Sequence, residues 1–366
     1  MPLSCSFNKK IEGAKVYIVA IGLCYEGSNA LSGPVSDVTE FAEYYRSILE
    51  SKSIDYEIYY MLDREAEIQT IEVDGKITRV LVKKNDFNSP YYPTVENLNA
   101  VLNNIKEKSS EKDLLVFLYS GHGAETSLKD NLTGSPLWGA DDNGALVLRK
   151  FITLEIDEES ATYLSADEYL LSTLVETLKQ MPLSKAVIMD SCFSGNLVGS
   201  MLEGESVGES IGSKGESYIG QDNFYKVSFS SLADVTNFAA VTSSRASETS
   251  MEVGPPYDDE LFSGETHGLF FGPLLTGLGF THSTKGEPFS KIPTSTSENA
   301  KIHSSLSEEL SVYGKLPDKA FMNGLEFSTN EIFKIARKAN NDYNETYSSS
   351  QLTQQHFGPV GIKLAW

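Results

Sequence analysis

DLLVFLYSGHG, residues 113–123, decides how the chain is read. From Leu114 to Tyr119 the residues are apolar without alternation, over a strand's length, as in a strand buried on both faces. The run stops at Ser120-Gly121-His122-Gly123. The two glycines let the backbone turn sharply and approach a bound molecule closely. Between them stands an imidazole, whose ordinary pKa suits proton transfer near neutrality. The same plan recurs at KAVIMDSCFSG, residues 185–195, where an apolar strand runs into Cys192. A thiolate is a good nucleophile, and a nearby imidazole activates it. If the two strands are parallel neighbours, His122 and Cys192 meet at one end of the sheet. The backbone N–H groups of Gly123 and Cys192 then stand as an oxyanion hole. These parts make an acyl-transfer site, most commonly used for peptide hydrolysis. Singly, His122 reads as a loop residue and Cys192 as a small buried hydrophobe; the pairing of two loaded strand ends carries the reading.

Working outward, strands and helices alternate. Lys15–Gly22 and Asp55–Leu62 read as strands, and Val35–Leu49 has helical spacing with Val38, Phe41, Ala42, Tyr45 and Ile48 on one face. Residues 67–82 alternate around Asp74-Gly75, a hairpin signal. Thr94 is a candidate N-cap for a helix to Lys106. Residues 124–163 read as loop with short strands at Ala145–Leu148 and Phe151–Ile156. Ser165, with Glu168 three residues on, forms a capping box that predicts a helix to Gln180. Phe238–Ser243 is a strand, Gly268–Gly279 an apolar helix with an internal Pro273, and Asn330–Ala339 a short helix. Residues 281–327 carry weak structural signals, and GIKLAW at 361–366 closes in strand-like fashion. The alternation predicts an α/β fold with a mostly parallel central sheet and helices on both faces. Ligands then bind outside the carboxyl ends of the strands.

Composition narrows the function. With 366 residues, 40% of them hydrophobic and 22% charged, the chain can bury a normal core. A net charge of −21 disfavours nucleic acid and favours basic peptides or metal cations as partners. No apolar run is long enough for a membrane-spanning helix. The first residues lack the apolar run of a secretory signal, so a cytoplasmic location is expected, with Cys5 as the one hint of a lipid-anchored or exported form. The three cysteines, Cys5, Cys24 and Cys192, show no metal-ligand spacing and are too few for a disulfide scaffold. A reducing compartment and a monomer are expected.

YSGHG at 119–123 and DSCFSG at 190–195 resemble the His and Cys motifs of caspase-like cysteine peptidases, clan CD and family C14, with the metacaspases and their bacterial relatives the nearest branch. AIGLCYEGSNALSGPVSD (20–37), the stretch 167–192, AAVTSSRASETS (239–250) and HGLFFGPLLTGL (267–278) agree with it, and QQHFGPVGI agrees more weakly. The resemblance implies a caspase-hemoglobinase fold forming one structural domain. Residues 1–14 are then an N-terminal extension, 15–198 a large-subunit-like region, 199–223 a Gly/Ser/Glu linker, and 224–366 a small-subunit-like region with an insertion at about 281–327. It implies His122 as general acid/base, Cys192 as nucleophile, and cleavage after Arg or Lys. The matching pocket positions are Asp37, Ser120 and Asp190. Two carboxylates there suit a guanidinium or ammonium group. Asp37 alone would read as a charge favourable at a helix start.

The resemblance also raises self-processing in the linker, with Lys214 and Lys226 as candidate sites. No cofactor is required on this reading. Calcium is a conditional expectation: some relatives hold it with acids, but Gly199 stands at one of their acidic positions, and Asp141 and Asp142 are the remaining candidates. His267, His282, His303 and His356 lack partner spacing, and most of them are expected to be ordinary loop or surface residues; Arg245 either contacts substrate or pairs with the acidic surface, the second being preferred. The alternatives are a catalytically silent scaffold or binding module, which the intact His122 and Cys192 oppose, and a peptide ligase using the same dyad.

Overall fold

The computed structural model describes residues 13–25, 29–63, 67–73, 76–82, 86–124, 144–156, 159–192, 194–195, 197, 237–244, 249–253, 267–282, 290–292, 300–305, 310–312, 314–317, 327–347, 355–357, 362 and 364. The central sheet has seven strands: β1 (Lys15–Gly22), β2 (Asp55–Leu62), β3 (Leu114–Ser120), β4 (Ser184–Asp190), β5 (Phe238–Thr242), β6 (Ala300–Ser304) and β7 (Gln355–Phe357). Their spatial order is β6-β2-β1-β3-β4-β5-β7. Every pairing is parallel except that of β5 with β7. The sequence reading of a mostly parallel α/β sheet therefore holds.

The period of two along each strand sorts side chains onto opposite faces. Val16, Ile18 and Ala20 of β1 join one core, into which α1 (Pro34–Ser51) sends Val38, Phe41 and Tyr45. Tyr17, Val19 and Ile21 join the other core, with Leu98, Val101, Leu102 and Ile105 of α2 (Val95–Lys108) and Leu174, Val175 and Leu178 of α3 (Leu171–Lys179). Two further helices, α4 (Phe271–Gly277) and α5 (Thr329–Tyr347), cover the α1 face through Phe271, Leu274, Leu275, Ile332 and Ala336. Each fully buried Val, Leu, Ile or Phe among them contributes roughly 1.5–3 kcal/mol. Thr94 caps α2 as expected, its side chain accepting from the Asn97 N–H at 3.2 Å. No helix among the described residues is long and apolar enough to cross a membrane.

Several expectations are corrected. The helix predicted from Ser165 begins only at Leu171; Glu159–Leu170 is instead a strand, paired along its length with Ala145–Ile156. A twelve-residue ladder outweighs one local cap, since it satisfies far more backbone groups. The two short strands expected at 145–148 and 151–156 are one. The apolar helix expected from Gly268 starts at Phe271, because His267–Gly268 are extended against Glu252–Val253. Pro273 then falls in the first turn, where its missing N–H costs no helical bond. Residues 281–327, read as weakly structured, supply the edge strand β6 and the small pairs Thr281–His282 with Gly314–Lys315 and Ser290–Ile292 with Leu310–Val312. The helix expected at 330–339 runs on to Tyr347, opened by Ser328, whose Oγ accepts the Glu331 N–H at 3.2 Å. Gln355–Phe357 forms the last described strand; most of GIKLAW lies outside the described residues, and of it Leu364 is buried against the α1 face.

Strand register sets up the site. Gly22 of β1 pairs with Ser120 of β3, and Ser120 pairs with Asp190 of β4. Partners in a parallel ladder point to the same face, so Ser120 and Asp190 both face α1. His122 and Cys192 each lie two residues farther along.

Candidate active site

His122 leaves the end of β3 held on three sides. Its Nε2–H donates to the Asn29 carbonyl at 2.8 Å, which leaves Nδ1 as the basic nitrogen of the neutral ring. Its backbone N–H donates to the Tyr25 hydroxyl at 3.0 Å, and its carbonyl accepts from the Tyr119 hydroxyl at 2.7 Å and the Val147 N–H at 3.1 Å. The Tyr25 ring lies against the imidazole, with centroids 4.6 Å apart, and its hydroxyl donates to the Val147 carbonyl at 2.6 Å. Burial pushes both tyrosine hydroxyls far above their ordinary range, so they stay protonated as donors.

Tyr25 adopts a left-handed conformation, φ 54°, uncommon for a residue with a side chain. Asp63 holds it there. Its carboxylate accepts the backbone N–H groups of Cys24 at 2.6 Å and Tyr25 at 3.1 Å. The Arg149 Nε stands 2.8 Å from the same carboxylate, and the guanidinium lies 5.1 Å from the centre of the Tyr25 ring. The Arg149 and Asp63 side chains are 5% and 0% exposed, so each charge depends on the other. Replacing Arg149 with methionine therefore lowers the unfolding free energy by roughly 3–5 kcal/mol in urea denaturation, and the double variant Arg149→Met, Asp63→Leu regains most of it.

Cys192 is a half-buried free thiol, its Sγ 3.7 Å from the Ser250 carbonyl. Burial pushes the thiol up, and the Asp190 charge adds to this, while backbone groups of Ser250, Cys192 and Gly123 pull it back. Gly123 passes so close that a Cβ there would lie 1.9 Å from the Cys192 carbonyl oxygen. Only glycine permits this approach, which brings the ends of β3 and β4 together.

Beneath, on the α1 face, lies a group of buried acids. The Asp37 Oδ2 accepts the Ser120 hydroxyl at 2.7 Å, its Oδ1 faces His267 Nδ1 at 2.8 Å, and the Gly268 N–H reaches both oxygens at 3.1–3.2 Å. The Asp190 Oδ1 accepts the Ser250 hydroxyl at 2.5 Å. Its Oδ2 is buried and has no hydrogen-bond partner at ordinary distance among the described residues, while the Ser243 hydroxyl and the Phe271 N–H lie near enough to the carboxyl to favour its charged form. A Cβ on Gly268 would stand 2.0 Å from that Oδ2 and 3.1 Å from the Asp37 Oδ2, so the two carboxylates flank one point. Burial, and then the Asp37 charge, push the Asp190 carboxyl up to about 7. Burial also raises Asp37 well above the carboxylate range, against the Ser120 and Gly268 hydrogen bonds.

The structure thus brings together His122, Gly123 and Cys192 above, and Asp37, Ser120 and Asp190 below. Lys214, Lys226, Asp141, Asp142, Gly199 and Arg245 lie outside the described residues. Of the four histidines read together as mostly loop or surface residues, His267 is an exception: it is 1% exposed and stands between Asp37 and Glu40. His303 has partners too, packing on Tyr59 and Tyr91 with Nε2 3.5 Å from Glu57. Sequence reasoning also missed Asn29, Tyr25, Asp63, Ser250 and Gly268. For Gly268 a signal existed in the His-Gly pair opening an apolar stretch; a carbonyl such as that of Asn29 carries none.

A family description, the metacaspase, peptidase C14 domain, matches residues 18–201, half of the chain. No curated protein sequence matches. Among solved structures, protein GSU0716 from Geobacter sulfurreducens is similar at 14% identity, covering 84% of this chain and 96% of its own, with a TM-score of 0.38. Caspase-1 from Spodoptera frugiperda is similar at 10% identity, with 83% and 91% covered and a TM-score of 0.32. A secreted C11 cysteine protease from Bacteroides thetaiotaomicron is similar at 11% identity, with 64% and 53% covered and a TM-score of 0.27. Likenesses at that level say nothing about the reaction, whereas the matched family spans both motif-bearing strands: the chain belongs to the metacaspase family, peptidase C14, and is a cysteine-type peptidase.

Proposed function

We propose that the protein is an endopeptidase that cleaves after Arg or Lys, with Cys192 as nucleophile and His122 as general acid/base. The observation that carries the specificity is the pair of fully buried carboxylates, Asp37 and Asp190, whose Oδ2 atoms flank one point beside Gly268. Two acids buried side by side are costly to ionise. An incoming guanidinium or ammonium removes the cost through charge-assisted hydrogen bonds, and an acidic side chain is repelled. The Asp190 carboxyl, titrating near 7, is drawn into its ionised form by that cation.

In the reaction, His122 Nδ1 takes the Cys192 proton as Sγ attacks the carbonyl carbon after the basic residue. The oxyanion forms toward the Gly123 and Cys192 N–H groups. Its collapse breaks the C–N bond, and the imidazolium proton passes to the leaving amine. Water, deprotonated by His122, then splits the thioester and restores the thiol. The bond from His122 Nε2 to the Asn29 carbonyl keeps Nδ1 as the working nitrogen throughout.

The test is a fluorogenic peptide panel with Arg, Lys, Asp or Asn at the position before the cut. Calcium and chelator arms bear on the calcium expectation. Cleavage after Arg and Lys alone supports the reading; cleavage after Asp or Asn refutes the pocket and spares the dyad. Intact-mass analysis of the same preparations checks self-processing: the wild type accumulates fragments ending at Lys214 or Lys226, and Cys192→Ala stays whole.

A further inference from the structure

The chain around Asp37 contains a buried imidazole to which the reaction gives no task. His267 opens the short strand that ends at Gly268, held in extended form by pairing with Val253. Its Nδ1 is 2.8 Å from Asp37 Oδ1, and its Nε2 is 3.6 Å from Glu40 Oε2. The two acids stand one helical turn apart on α1, and both are 0% exposed. The imidazole therefore spans two carboxyl groups on one helix, shielded from water.

This arrangement fixes how Asp37 is turned. Its Oδ1 is taken by His267 and its Oδ2 by Ser120, while the Gly268 N–H lies across both. Two donors from opposite sides leave the carboxylate no free rotation about its terminal bond. In that orientation Oδ2 flanks the same point as the Asp190 Oδ2. Without the His267 contact, Asp37 Oδ1 keeps the shared Gly268 N–H at 3.2 Å but loses its nearer neighbour, and the carboxylate is freer to turn away from Asp190. Glu40 Oε2 faces the far edge of the ring at 3.6 Å, beyond hydrogen-bond distance, so the Asp37 contact is the closer of the two that α1 offers the imidazole.

We propose that His267 is a positioning residue for the basic-side-chain pocket: by donating from Nδ1 to Asp37 it holds Oδ2 of that carboxylate beside Asp190, and so sets the affinity for an Arg or Lys side chain. The inference rests on the pocket reading above and adds to it the group that orients one of its two acids. His267 touches neither substrate nor reacting atoms, so its effect falls on binding rather than on the chemical step.

Two near-isosteric variants separate the ring's two contacts. In His267→Asn the amide Nδ2 falls near the place of Nδ1 and can still donate to Asp37; in His267→Gln the amide Nε2 falls near the place of ring Nε2 and meets Glu40 instead. Against Arg and Lys peptides, His267→Gln and His267→Ala raise KM by roughly tenfold with kcat within about twofold of wild type. His267→Asn returns KM to within about threefold of wild type. Iodoacetamide labels Cys192 at the same rate in every variant. Equal KM values in Asn and Gln variants, a fall in kcat at constant KM, or altered Cys192 labelling overturns the proposal. If the wild type cleaves after Arg and Lys while His267→Gln and His267→Ala keep the wild-type KM, the His267 role alone fails. If the wild type cleaves only after other residues, the pocket reading fails and this role with it.

Discussion

Cys192→Ala lowers kcat against a basic-site peptide by on the order of 10⁴-fold or more and leaves the protein folded. In the proposed reaction the thiol carries the whole covalent step, yet it holds little of the structure: it is half-buried, and its approach to the Ser250 carbonyl is a weak 3.7 Å. Its thermal melt stays close to that of wild type. His122→Ala falls nearly as far, and the double variant no further, because the two groups act as one unit. Burial holds the thiol above its ordinary range, so the resting protein does not store a thiolate. Iodoacetamide alkylation accordingly keeps accelerating as pH rises past the ordinary thiol range, instead of reaching a plateau below neutrality. A plateau below pH 7, or retained turnover in Cys192→Ala, refutes the reaction proposed for this site.

Asp190→Asn moves two readouts in opposite directions. Activity toward Arg and Lys peptides drops by roughly 10²–10³-fold in kcat/KM, the usual scale for removing one partner of a buried charge pair. Stability rises at alkaline pH. The carboxyl titrates near 7 in the folded chain against an ordinary 3.8, so folding favours its protonated form. Below 3.8 both states are protonated and nothing is lost; between 3.8 and about 7 the folded state becomes progressively disfavoured, and above 7 the full cost is present. The amide never ionises and escapes that cost. The gain reaches up to about 4 kcal/mol at pH 8 and vanishes near pH 3.5, as followed by urea denaturation at the two pH values. Loss of stability at pH 8 refutes the account of Asp190 as a strained acid awaiting a cation.

Much of this was legible in the chain, for identifiable reasons. Lys15–Gly22 and Asp55–Leu62 are central or nearly central strands, and their apolar content marks them to the residue. Ala300–Ser304 belongs to the same sheet but escaped, because an edge strand reading AKIHS places few side chains in the core. Ser165 and Glu168 satisfy a local rule for a helix start, yet their backbones pair with Lys150 and Val147, which no local rule sees. Among the site residues, His122 and Cys192 were visible because each ends an apolar strand. His267 was not: the acid that gives it meaning, Asp37, is 230 positions away in sequence.

The ladder between β3 and β4 places recognition and reaction on a common ruler. Ser120 and Asp190 share one rung, and His122 and Cys192 follow at the same interval beyond it. A one-residue slip would send every one of these side chains to the wrong face, so chemistry and pocket floor are inherited together. Asp37 and His267 approach that rung from a separate layer, α1 and the 267–268 strand, which do not belong to the ladder. Preference for a substrate can therefore drift, or be redesigned, from the second layer, while the spacing that makes the thiol useful stays untouched.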